Sequence, residues 1–192
     1  MAGSRPLVHV SIHDDPVQRL IALAKDARIG EPSRIQTQIG PIATRPQFQK
    51  VVAMIEAAMA EGAICVLGGH ALTGEQNGQR QFVAPTICTG VHSRMSIAQN
   101  EVVGQMLSVI PFTDKADAIQ IGNDIDFGLA AAGWTRDLRL AIHCVDRFNA
   151  GTVWVNDYCT IGFATPFGGF KASRLGRDGG VDAYKEDLRA RP

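Results

Sequence analysis

Apolar residues along this chain follow two spacings, helical in some stretches and strand-like in others, and the changeovers divide the sequence into elements. Leu7 to Ile12 alternates as a strand. Asp14 or Asp15 then caps a helix with Pro16 near its first position and Val17, Leu20, Ile21 and Ala24 on one face, and Gly30 stops it. A second helix is capped near Thr44, carries Phe48, Val51, Val52, Ile55 and Met59 at helical spacing, and ends at Gly62. Ala63 to Leu67, bounded by glycines, reads as a buried strand, and Gly68 to Gln79 reads as a polar surface loop.

Phe82 to Val91 is an irregular strand interrupted by Pro85. Met106 to Phe112 and Leu129 to Thr135 are clearer strands, with helical spacing over Asp114 to Gly122 between them. Asp137 caps a helix whose Leu138, Ala141, Ile142, Val145 and Phe148 form one apolar stripe, and Thr152 to Val155 supplies a further strand. This alternation predicts a three-layer α/β/α fold with a mostly parallel sheet. Met106 to Phe112, Leu129 to Thr135 and Thr152 to Val155 are expected in one sheet, and the absence of an internal linker or repeat predicts a single domain over residues 1–192.

Composition narrows the function. With 45% apolar residues, 192 positions are enough for one core that buries roughly 70% of the unfolded surface. Lys plus Arg equals Asp plus Glu at 19 each, so no field of one sign draws the chain to nucleic acid or an anionic membrane. No apolar run approaches the roughly 20 residues of a membrane span and no signal-peptide core opens the chain, which predicts a soluble, cytoplasmic protein. Cys65, Cys88, Cys144 and Cys159 lack C-x-x-C spacing and are expected as reduced thiols. His9 and His13 are the one histidine pair at i, i+4, but in an alternating strand they stand too far apart for a tight metal site, so none is expected.

The phosphate-cradling pattern Gly-x-Gly-x-x-Gly is missing, as are Gly-x(4)-Gly-Lys-Ser/Thr, His-Glu-x-x-His and Gly-x-Ser-x-Gly. By itself, then, the chain is not expected to hold a dinucleotide tightly.

The last quarter carries the strongest signature. Gly151-Thr-Val-Trp-Val-Asn156 runs into Pro166-Phe-Gly-Gly-Phe-Lys171 and Gly176-Arg177. Together with Asn123-Asp124, Phe127-Gly-Leu-Ala-Ala131 and Trp134-Thr-Arg-Asp137, it resembles the catalytic domain of NAD(P)-dependent aldehyde dehydrogenases. The likeness extends from Ala2-Gly-Ser-Arg5 to about Tyr184 and covers only the carboxy-terminal part of a family member. In that register Met1 follows the position of the nucleophilic cysteine, and the general-base glutamate and the cofactor domain precede it.

The resemblance implies roles residue by residue. Glu101, in Asn100-Glu-Val-Val-Gly-Gln105, matches the glutamate that accepts hydrogen bonds from the nicotinamide ribose, a task suited to a carboxylate with its several acceptor sites. Val103 stands where the family has an aromatic residue near the nicotinamide, and Gln105 where it has proline. Gln47 and Lys50 match positions that approach the adenosine ribose, although polar residues are expected on the outer face of any amphipathic helix. Ile161 and Phe167 match residues lining the aldehyde tunnel, and Phe163 adds an aromatic wall. Asp178 matches a glutamate that relays protons toward the base, while Arg174 replaces a glycine. Cys159 lies in the tunnel loop without a cationic setting and is expected to be a small buried hydrophobe.

The complete parent enzyme implied here oxidises an aldehyde to a carboxylate with NAD or NADP through a cysteine thioester. Without nucleophile or base, this chain alone is expected to be inactive and to self-associate or form a homo-oligomer through exposed apolar surface. The alternative is a non-catalytic interaction or regulatory subunit on the same fold.

Overall fold

The computed structural model of the chain describes residues 3–73, 81–173 and 176–188. Met1, Arg174 and residues 74–80 of the expected polar loop lie outside them. Two compact units result, Ala2–Asp114 and Lys115–Pro192.

The first unit contains β1 (Leu7–His9), α1 (Asp14–Lys25), α2 (Arg45–Ala60), β2 (Ile64–Leu67), β3 (Thr86–Thr89), α3 (Ser96–Gln99), β4 (Met106–Ser108) and β5 (Ile110–Phe112). The run through β4 and β5 organises it. Val109 N donates to the Cys88 carbonyl at 2.8 Å, while Ser108 N and Ile110 N donate to the Ser4 and Pro6 carbonyls at 2.9 and 3.0 Å. Successive amides thus serve opposite edges: β4 pairs parallel with β3, and β5 pairs parallel with β1. A strand with neighbours on both edges suits residues that are apolar on both faces, and Met106, Val109 and Ile110 are all buried. Against this run α1 packs Val17 and Ile21 beside Val8, Ile87 and Val109, with Leu20 and Ala24 at the margin, the face expected from its spacing. In α2, Val51, Ile55 and Ala58 are buried, and the Thr44 hydroxyl accepts from Gln47 N at 3.4 Å as the expected cap.

Three expectations need correction in this unit. The first strand stops at His9, because the His9 ring accepts from Ser11 N at 3.1 Å and Val10–Ile12 winds into a 3₁₀ turn. Ala63 to Leu67 is not a buried strand: β2 pairs only with β3, antiparallel, and lies at the edge with Ile64 and Val66 exposed. Finally, the four cysteines are not all free thiols. The β2–β3 register sets Cys65 opposite Cys88 with Cα atoms 4.1 Å apart, and the two form a disulfide.

The second unit contains α4 (Lys115–Asn123), β6 (Phe127–Gly128), β7 (Ala130–Gly133), α5 (Leu138–Arg147), β8 (Thr152–Val155), β9 (Phe170–Lys171) and α6 (Gly180–Asp187). β7 and β8 run parallel, in register from Ala130 opposite Thr152 to Gly133 opposite Val155, and α5 is the crossover between them. Asp137 caps α5 as expected, its Oδ1 accepting from Arg139 N at 2.8 Å. Asn123 ties the helix ends together: its Nδ2 donates to the Arg147 carbonyl at 2.8 Å and its Oδ1 accepts from Asn149 N at 2.7 Å. β6 and β9 form a short antiparallel pair.

Among the described residues, pairing is therefore mostly parallel, in three of the five ladders. The expected single sheet is not observed, since β4 and β5 pair within the first unit while β7 and β8 form a ladder of their own. Apolar pattern marks a strand but carries no information about its partner. The α5 stripe is also corrected: Ala141 is buried, but Leu138, Ile142 and Val145 are exposed.

Close backbone contact fixes the start of β8. A Cβ on Gly151 would overlap the Gly168 carbonyl oxygen, and one on Gly168 would meet Arg177 Cδ and the Gly176 carbonyl oxygen at 2.6 Å. The Gly168 carbonyl is main chain and cannot withdraw from Gly151 without moving the glycine-rich turn. Gly151→Ala is accordingly expected to lower stability by about 2–3 kcal/mol, measured as a fall in the urea midpoint followed by tryptophan fluorescence. An unchanged midpoint would show that this approach does not constrain the fold.

Candidate functional site

Residues singled out in the sequence fall into two groups, one in each unit. In the first unit, Asn100 closes α3, donating from Nδ2 to the Ser96 carbonyl at 3.0 Å, and the chain then turns through Glu101–Gly104 into β4. Val102 is buried and pins the turn from beneath. Gly104 lies so close to α2 that a Cβ there would stand 2.7 Å from Val51 Cγ2.

The opening turns of α2 hold this loop by its carbonyls. Gln47 Nε2 donates to the Val102 and Val103 carbonyls at 2.8 and 2.9 Å, and Lys50 Nζ donates to the Glu101 carbonyl at 2.8 Å. Three consecutive acceptors are thereby satisfied by two side chains one helical turn apart. The structure brings Gln47, Lys50, Glu101 and Val103 together, and it gives the first two a direct task in shaping the loop. With its main chain fixed, Glu101 leaves its side chain exposed. Val103 is 60% exposed at φ 54°, a left-handed conformation that a β-branched side chain rarely adopts.

In the second unit, the Asn156–Thr160 turn following β8 is tied down at several points. Asn156, also left-handed at φ 54°, pairs its amide with the Thr135 main chain in both directions at 2.8 Å. Trp154 Nε1 donates to the Thr160 carbonyl at 2.8 Å. The Asp157 carboxylate accepts from the Thr160 hydroxyl at 2.6 Å and from Tyr158 N at 2.7 Å. These bonds, the hydroxyl first, hold its carboxyl below the usual range. Tyr158 packs edge-on to Trp154 with centroids 5.6 Å apart.

That knot turns Cys159 outward at φ 62°, so the expected small buried hydrophobe is an exposed thiol. Ile161 is 52% exposed and Phe163 wholly so. Phe167 is half-buried and forms a two-way bridge with Asp178, each main-chain N–H donating to the other's carbonyl at 2.6 Å. The expected tunnel residue and the expected proton relay are thus neighbours. Beside them Arg177 Nη1 donates to the Gly169 and Gly176 carbonyls at 3.0 Å, and the guanidinium lies 5.3 Å from the Phe170 ring centroid. Burial pushes the half-buried Cys144 thiol above its ordinary value. No group of three or more His, Cys, Asp or Glu among the described residues is arranged to hold a metal.

Sequence reading missed what Gln47, Lys50, Asn123, Trp154 and Arg177 do, since each satisfies main-chain groups between 6 and 55 residues away, a use that no local pattern marks. Only the Gly-Arg-Asp and Phe-Gly-Gly clusters hinted at the turn that Arg177 closes.

Comparison with known proteins gives one consistent result. Residues 1–191 match the model of the aldehyde dehydrogenase family. Betaine aldehyde dehydrogenase of Mesorhizobium japonicum is 40% identical over 183 residues, which are 94% of this chain and 37% of that protein. Aldehyde dehydrogenase of Emericella nidulans is 40% identical over 184 residues, covering 96% of this chain and 36% of that protein. Among solved structures, betaine aldehyde dehydrogenase of Staphylococcus aureus in complex with NAD+ superposes with a TM-score of 0.92 at 34% identity, over 96% of this chain and 37% of that one. The chain spans little more than a third of the length of the relatives it matches.

Two substitutions separate strain from support in the Glu101 loop. Val103→Gly is expected to raise stability by about 1 kcal/mol, because relief of the left-handed valine exceeds the added chain entropy of glycine. Gln47→Ala is expected to lower it by about 1–2 kcal/mol through loss of two hydrogen bonds. Urea denaturation of both variants checks the pair, and a destabilised Val103→Gly would contradict the strain assigned to the loop.

Proposed function

The chain belongs to the aldehyde dehydrogenase family, and on that premise we propose that it supplies the carboxy-terminal part of an NAD(P)-dependent catalytic domain but does not oxidise aldehydes by itself. Both compact units belong to that one domain in this reading. The observation that carries it is the Glu101 loop: its carbonyls are occupied by Gln47 and Lys50, while the Glu101 side chain is left exposed. An exposed carboxylate carried on a fixed main chain suits a ribose diol. The bound nicotinamide would supply a hydride acceptor.

Other residues take parts consistent with their surroundings. Lys50 gives one of three N–H donors to Glu101 and keeps capacity for an adenosine ribose hydroxyl, whereas Gln47 has committed its amide nitrogen to the loop. Val103 offers an aliphatic surface at the crest of the loop. Ile161, Phe163 and Phe167 supply apolar wall to an aldehyde tunnel, and Asp178, fixed through its bridge to Phe167, supplies a carboxylate for proton relay.

Inactivity of the isolated chain follows from its sulfur atoms. A thiol nucleophile needs a cation or a helix N-terminus to favour the thiolate. Cys65 and Cys88 are bonded to each other, burial raises Cys144, and the exposed Cys159 stands in a turn whose charged member is the Asp157 carboxylate, the wrong sign. In the same reading the polypeptide self-associates through exposed apolar surface. Incubating the purified chain with NAD+ or NADP+ and an aldehyde, with reduced-cofactor absorbance as the readout, is expected to give no turnover above background, with Cys159→Ser indistinguishable. Turnover that disappears in Cys159→Ser would show instead that this chain carries its own nucleophile.

A further inference from the structure

Strand β3 is held differently on its two edges. Toward β4 the Cys88 carbonyl accepts from Val109 N at 2.8 Å, and toward β2 the Cys88 sulfur is bonded to Cys65. The β2 ladder is short and its register shifts between Cys65 and Leu67, so the edge strand relies on that covalent bond. The segments on either side have bonds of their own. Beyond the shift, Gly69 N donates to the Thr86 hydroxyl at 3.0 Å, Ala84 N to the His70 carbonyl at 3.0 Å and Leu72 N to the Phe82 carbonyl at 2.9 Å. Before it, Ala63 N donates to the Ala58 carbonyl at 2.9 Å, and the Glu61 carboxylate accepts from Ser96 N at 2.7 Å. Strand β2 can therefore loosen without unravelling what flanks it.

The two sulfurs are not equivalent. Cys88 is wholly buried, whereas Cys65 is half-buried on the edge strand. Beside Cys65 stands Gly69, where a Cβ would lie 3.6 Å from the Cys65 sulfur, and glycine has no side chain to screen it. Thiol–disulfide exchange begins with attack on the sulfur that an incoming thiolate can reach. That sulfur is the one on Cys65.

We propose that the Cys65–Cys88 bond is a reversible latch on β2, opened and closed by exchange with low-molecular-weight thiols and disulfides of the glutathione class through a mixed disulfide on Cys65. In opening, the incoming thiolate forms a bond to the Cys65 sulfur, the Cys65–Cys88 bond breaks, and Cys88 departs as a thiolate that takes up a proton. A second small thiolate attacks the small-molecule sulfur of the adduct and displaces Cys65, which is protonated in turn. The protein bond gains two electrons and two protons, and two small thiols become one small disulfide. In closing, Cys65 attacks the small disulfide and Cys88 resolves the adduct. The latch is independent of the cofactor reading, because Gln47 and Lys50 hold the Glu101 loop from the opposite end of α2, a helix kept in place by buried Val51, Ile55 and Ala58.

The test uses the full chain carrying Cys144→Ser and Cys159→Ser, which leaves Cys65 and Cys88 as its cysteines, with the unsubstituted chain run in parallel. Incubation in glutathione buffers of graded oxidised-to-reduced ratio, followed by acid quench, alkylation and peptide mass spectrometry, is expected to show reversible opening at a rate that rises with thiol concentration. Oxidised glutathione is expected to add to Cys65 in Cys88→Ala at least about tenfold faster than to Cys88 in Cys65→Ala. On reduction, amide hydrogen exchange at residues 64–67 is expected to quicken about tenfold or more, with residues 101–104 unchanged and the far-UV circular dichroism retained. Opening at a rate independent of thiol concentration would mean that the chain must unfold first, and it overturns the proposal. So do a bond that fails to form in oxidised glutathione, equal labelling of Cys88, reduction that unfolds the first unit, and exchange at 64–67 that does not change.

Discussion

The first unit depends on the alternating direction of consecutive amides along Met106–Phe112. Ser108 and Ile110 donate toward the segment carrying β1, and Val109 donates toward β3, so one extended run is hydrogen-bonded on both edges. Met106, Val109 and Ile110 in this run are buried as well, and α1 packs against Val109 and Ile87. The same run fixes where the Glu101 loop ends, because Gly104 and Gln105 lead directly into its first residue. A stable strand therefore anchors one end of the loop and the α2 side chains anchor its middle.

This arrangement puts the cost of shaping the site into the protein itself. Val103 sits in a left-handed conformation that its side chain disfavours, and the surrounding hydrogen bonds from Gln47 and Lys50 oppose its relaxation. Strain held in place by neighbouring bonds keeps the main chain that carries the Glu101 side chain in one conformation before any ligand arrives, which is the physical meaning of preorganisation. The turn at Asn156–Thr160 follows the same logic in the second unit, with two residues at positive φ held by bonds to Thr135 and from Trp154.

Much of this was legible in the sequence, and the parts that were not share a cause. Helix caps at Thr44 and Asp137 and the buried face of α1 follow from local rules, because each depends on residues within one or two turns. Strand pairing does not: the Cys65–Cys88 bond and the exposure of Ile64 depend on register and on edge position, which residues 23 apart do not encode visibly. The α5 stripe misled for a different reason, since helical spacing marks an apolar face and not whether a neighbour covers it. In the candidate site, family register selected Glu101 and Val103, but the partners that shape them are polar side chains bonded to main-chain atoms, a use that leaves no compositional signature.

The central claim is the proposed one, that the Glu101 loop, shaped by Gln47 and Lys50, is a contact for the nicotinamide cofactor. Its most direct test is an NMR titration of the isotopically labelled chain with NAD+, set beside Glu101→Gln. Weak, fast-exchange binding is expected, with a dissociation constant on the order of 1 mM or above, amide shifts concentrated at residues 47–50 and 101–104, and loss of those shifts in Glu101→Gln. Tight binding, or shifts that leave this loop untouched, would contradict it.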